Sequence, residues 1–71
     1  MTDDQRLAVL LSEADTALRN ACVALAASKQ RYLDNPIEDN LRAFTMDLRF
    51  AESCTVRALN LDDIVLRRMA P

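Results

Sequence analysis

The sequence predicts an all-α fold, an antiparallel helical hairpin of coiled-coil character, and three observations carry that prediction. Leu7, Leu11, Ala14, Leu18, Ala21, Leu25, Ser28 and Tyr32 recur at alternating steps of four and three. After Asn35-Pro36 the rhythm resumes at Ile37, Leu41, Phe44, Leu48, Ala51, Thr55, Ala58, Asp62, Val65 and Met69. A spacing near 3.5 residues keeps one face of a helix turned toward a neighbour. The chain contains no Gly, so only Asp34-Asn35-Pro36 offers an obvious break.

The first helix is expected from about residue 3 to 33, with Thr2 or Asp3 capping its free N–H groups. Acids in its first turn suit the positive end of the helix dipole. At about 1.5 Å per residue it would be roughly 45 Å long. One line of its seam is bulky (Leu11, Leu18, Leu25, Tyr32) and the other mostly small (Ala14, Ala21 and Ser28 after Leu7). Small positions let a second helix approach closely, with Ile37, Leu41, Phe44 and Leu48 supplying the opposing bulk.

The turn is expected at residues 34–35. Asn35 reads as an N-cap, Pro36 as the first helical residue and Glu38 as the third, a variant of the capping box. So short a connection returns the second helix antiparallel to the first, over about residues 36–70. Asn60-Leu61-Asp62-Asp63 offers an alternative break near 60, with a short third C-terminal helix after it. Acid-to-base pairs at i,i+4 support both segments through Asp15–Arg19, Glu38–Arg42 and Asp63–Arg67, each contributing ~0.2–0.5 kcal/mol.

Seventy-one residues allow a single domain. Below about 80 residues one core rarely supplies more than ~3–5 kcal/mol. Eleven of the apolar residues are Ala, which bury little area, so marginal stability and a partner are expected. The net charge of −2, with eleven acids among eight Arg and one Lys, gives no basic footprint for nucleic acid. No apolar run approaches the ~20 residues of a membrane span, and no secretion signal opens the sequence, so the expected compartment is the cytoplasm. If residue i faces residue 69 − i, Cys22 and Cys54 are offset by roughly 10 Å along the axis. A disulfide needs Cα atoms within about 7 Å, so both thiols read as small apolar fillers.

No His is present to act as base, shuttle or metal ligand. There is no Gly-rich phosphate loop and no recognisable zinc spacing. Asp62-Asp63 reads as a helix-start signal, and Ser12, Ser28 and Ser53 have no base to activate them. The chain is therefore expected to be no enzyme and to need no cofactor or metal.

What remains once the seams are filled is a surplus of apolar residues. Met46 and Phe50 are expected on the outer face of the second helix, with Ala43 one turn earlier and Leu61 and Ile64 beyond. Leu10, with Ala17 and Ala24, flanks the seam of the first helix. Scattered surface hydrophobes need no explanation, and a third helix over Leu61–Ala70 is another way to cover this patch. Met and Phe beside Arg42, Arg49 and Arg57 match the composition of protein interfaces. The candidate partner-binding residues are accordingly Ala43, Met46, Phe50, Leu61, Ile64 and Leu10.

In Met1-Thr2, Arg6-Leu7, Ala17-Leu18-Arg19, Ala24-Leu25 and Arg31 with Leu33, then in Ala51-Glu52-Ser53 before Leu59, the chain resembles the small E-type co-chaperones of bacterial type III secretion. The family often has a Gly-containing turn, where this chain has Asn35-Pro36. The resemblance implies a cytoplasmic complex with a larger helical-repeat chaperone. That chaperone grips the amphipathic C-terminal helix of the secretion needle subunit and keeps it unpolymerised. Asp34-Asn35-Pro36 is also similar to the turn of the needle subunits themselves, although their aromatic-and-Gln-rich second helix and Lys-Asp segment are missing here. The alternative is thus a self-assembling hairpin, as a needle- or rod-like subunit or a four-helix-bundle dimer.

Overall fold

The computed structural model describes residues 2–70. Met1, part of one segment that carries the resemblance, lies outside the described residues. Two helices, α1 (Asp3–Asp34) and α2 (Glu38–Met69), pack along their whole length as an antiparallel hairpin about 51 Å long. Among the described residues there is no strand and no third helix, and α2 runs unbroken through Asn60 to Asp63. No described helix is long and apolar enough to cross a membrane.

α1 begins with a full capping box. The Gln5 backbone N–H donates to Thr2 Oγ1 at 3.1 Å, and the Thr2 N–H donates to Gln5 Oε1 at 2.9 Å. Two donors that the first turn would leave orphaned are thereby satisfied reciprocally. Asp3 and Asp4 fill the first turn of α1, and Arg67 and Arg68 the last turn of α2, each charge opposing the local end of the dipole. The i,i+4 pairs Asp15–Arg19, Glu38–Arg42 and Asp63–Arg67 all form, at 3.1, 3.2 and 2.8 Å.

The turn is longer than the sequence suggests. Pro36 forces the residue before it out of helical geometry, and Asn35 (φ −146°, ψ 90°) accordingly ends α1, its N–H donating to Arg31 O. Asn35 is therefore a C-cap and not the expected N-cap. Ile37 is the N-cap of α2, without a side-chain hydrogen bond, and Pro36 lies outside the helix. Packed helices lie ~8–10 Å apart and an extended residue spans at most ~3.3–3.6 Å, so the expected two-residue turn at 34–35 reaches only about 7 Å. Asn35, Pro36 and Ile37 together cover the gap. Asn40 then ties it: its side-chain amide donates to Asn35 O at 2.9 Å and to Arg31 O at 3.4 Å.

This three-residue turn resets the register. Asp34 and Glu38 bound the turn, and Asp4 meets Arg68 at the far end, so residue i faces roughly residue 72 − i. Ala21 comes against Ala51 and Cys54, and near the turn Tyr32 meets Phe44 with ring centroids 6.2 Å apart.

The seam of α1 is the expected one, with Ala14, Ala21 and Ser28 buried and Leu7, Leu11, Leu18, Leu25 and Tyr32 half-buried beside them. Ser28 satisfies its hydroxyl on Leu25 O at 3.2 Å. The seam of α2 is rotated relative to expectation. Phe44, Ala51, Ala58 and Val65 face α1, but the second inward line is Asn40, Asp47, Cys54 and Leu61, reaching Arg68. Leu41, Leu48, Thr55, Asp62 and Met69 remain exposed, and Ile37 is taken up by the turn. The physical reason lies at three levels of the hairpin. Asn40 is fixed to the carbonyls that close α1, and Arg68 is fixed to Asp4. At mid-length the small line of α1 holds the helices close, which accommodates the Cys54 side chain where a leucine would overfill the space. Small residues thus meet small ones, not the opposing bulk that the sequence suggests.

Candidate protein-binding surface

The six candidate residues do not form one patch. Around a shallow hollow of about 220 Å³ at the open end, Leu10 of α1 meets Leu61 and Ile64 of α2, with Asp3, Arg6, Leu7 and Arg68 completing the wall. Leu61 belongs to the seam and is half-buried; Leu10 and Ile64 are exposed at its edge. Steps of seven residues carry Ile64 back through Arg57 and Phe50 to Ala43, one line along the flank of α2. Ala43 is half-buried on this line, and Phe50 is 59% exposed. Met46, 67% exposed, stands further out and borders a second hollow with Glu38, Leu41, Arg42, Thr45 and Arg49. Phe50 and Ile64 are fourteen residues apart, about 21 Å along a helix. The flank is therefore an elongated strip with Arg57 in its middle, the shape a partner helix would follow and not that of a ligand pocket.

With the C-terminal segment continuous in α2, none of the described residues folds back over Met46 and Phe50. Their exposure in the hairpin is that of a free surface.

The opposite side carries a groove that the sequence reading missed. Cys22 and Leu25 form one wall, Leu48, Thr55 and Val56 the other, Ala51 the floor and Glu52 the rim, enclosing about 440 Å³. It exists because α2 turns Cys54 inward and leaves Leu48 out. Val56, standing outside the expected seam, was the one signal available for it. Cys54 is buried, but Cys22 is exposed on the groove wall and is no core filler; both thiols are free. Register and burial together explain why they are not bridged.

Among the described residues no three Cys, Asp or Glu side chains gather as a metal site. The exposed ion pairs and solvated carboxylates are those of helix surfaces. By fold, the chain is an all-α helical hairpin with two apolar flanks. No known protein family, curated protein or solved structure matches it.

Proposed function

We propose that this hairpin is a protein-binding subunit completed by a helical partner, and more particularly a small co-chaperone. In that role it joins a larger helical chaperone and keeps a type III secretion needle subunit soluble and unpolymerised in the bacterial cytoplasm. One observation supports the binding reading above others. The side chains it buries are small (Ala14, Ala21, Ser28, Ala51, Cys54), whereas Leu41, Met46, Leu48, Phe50 and Ile64 stay exposed. A domain that leaves several large apolar groups facing outward gains stability from any partner that binds only its folded state. The strip from Leu10 and Ile64 to Phe50 suits an amphipathic helix laid lengthwise. The more particular role rests on the resemblance in the first half of the chain and on the shared two-helix layout. No catalytic step, cofactor or metal enters this reading.

Thermal melts of the chain alone, with a candidate helical chaperone, and with a needle subunit test it. The expected result is a low melting temperature alone and a marked rise with the chaperone. Unchanged melting with both partners folded overturns the reading.

A further inference from the structure

On α1, the residues next after the buried Ala14, Ala21 and Ser28 are Asp15, Cys22 and Lys29. Seven-residue steps align them on one line, whose middle residue Cys22 lines the Cys22–Leu48 groove and whose outer two lie one step beyond it on either side. The line carries an anion about 10 Å to one side of Cys22 and a cation about 10 Å to the other. Turned end over end about Cys22, it presents Lys29 to Asp15 and Asp15 to Lys29. Laid parallel in register, it would oppose like charges. A second copy of this line therefore complements it in register only when reversed. Asp15 already holds Arg19 through Oδ2 at 3.1 Å, which leaves Oδ1 for a second cation. Among the described residues Lys29 makes no ion pair.

We propose that two copies of this chain pack face to face over this groove, antiparallel about a two-fold axis at Cys22, and close a four-helix bundle. Around that axis α1 lies on α1 of the second copy, with Leu18 level with Ala26, so a large side chain meets a small one. By the hairpin register the axis crosses α2 near Phe50, which brings the exposed Leu41 level with Leu59 of the second copy. Leu48 lies over the methylenes of Glu52. A two-fold interface of this kind is self-complementary by construction. Like-charge exclusion sets its polarity, and the Lys29–Asp15 pairs set its register. The flank that carries Phe50, Ile64 and Leu10 lies on the other side of the hairpin and stays free, so the dimer goes beyond the partner-binding role and is compatible with it.

The test combines sedimentation with oxidative cross-linking of the full chain. A concentration-dependent dimer is expected in reducing buffer. Diamide should convert it to a reducible covalent dimer that survives Cys54→Ser and is lost in Cys22→Ser, while Cys22→Ser keeps the non-covalent dimer. Lys29→Glu should weaken dimerisation by about tenfold or more. The exchange Asp15→Lys with Lys29→Asp restores the complementary pattern and should recover most of it, which separates pairing from folding. Phe50→Ala should leave dimerisation unchanged. A monomer at every concentration, a cross-link that does not need Cys22, equal dimerisation by Lys29→Glu, or weakening by Phe50→Ala each overturns the proposal.

Discussion

Arg68, in the last turn of α2, donates to Asp4, in the first turn of α1, at 2.6 Å across the open end of the hairpin. It is the one ion pair between the helices among the described residues, and it joins positions 64 apart in sequence. The Asp4 side chain is almost fully exposed, so solvent screens the pair and an exposed pair contributes only ~0.2–1 kcal/mol. Arg68→Ala should lower stability within that range, and 1 M salt should abolish the difference between variant and parent. Denaturant melts at low and high salt check both points.

Asn40 is the more consequential polar residue. Its amide adds a second donor to two carbonyls at the turn, Arg31 O and Asn35 O, which already accept the backbone N–H groups of Asn35 and Ile37. Asn40→Ala removes both bonds and should cost about 1 kcal/mol. Asn35→Ala, by contrast, removes no side-chain cap of α2 and should cost less, which reverses the order that the sequence suggests. Urea midpoints of the two variants decide the ranking.

Close approach at mid-length predicts an asymmetry between two alanines three residues apart. Ala21 packs against Ala51 and Cys54, so Ala21→Leu overfills the contact and should cost ~1–3 kcal/mol. Ala24 is exposed, and Ala24→Leu should change stability by no more than ~0.5 kcal/mol. Chemical denaturation of the isolated chain measures both.

Phe50→Ala separates binding from folding. Because Phe50 is uncovered, its removal should shift the stability of the isolated hairpin by less than ~0.5 kcal/mol. The affinity for a partner seated on the flank should fall by ~2 kcal/mol or more, as for a buried aromatic anchor. Leu18 packs against the central cluster, and Leu18→Ala should cost about 2 kcal/mol of folding free energy. Equal destabilisation by the two substitutions would rule out an outward-facing anchor at Phe50.

Much of the fold was legible because a 3.5-residue period and a lone proline turn leave few alternatives. The seam of α1 and the i,i+4 pairs follow from spacing; the thiols are free as expected, but the expectation used a register that the longer turn replaces and counted the exposed Cys22 as a filler. Two features did not. Asn35 has the composition of an N-cap, and only the distance between packed helices shows that it closes α1 instead. For α2, hydrophobicity favours Leu41 and Leu48 over Asn40 and Asp47 in the seam. The choice went the other way because ties at the two ends and the small line at the centre set the rotation, and those depend on three-dimensional register. Of the six candidate surface residues, Leu10, Met46, Phe50 and Ile64 are exposed, while Leu61 and Ala43 are partly drawn into the seam. The Cys22 groove followed from the same rotation and was hidden with it.

The hairpin's register also orders its contacts in time. Tyr32 and Phe44 meet across twelve positions, whereas Asp4 and Arg68 meet across 64. Closing the longer span from an open chain costs about 1.5 kcal/mol more in loop entropy, from its logarithmic dependence on length. Once Tyr32 and Phe44 are together, each further seam contact extends an existing pair by one turn, and the large loop is never closed in one step. Assembly is therefore expected to propagate like a zip from the turn to the open end, with opening along the same track backwards.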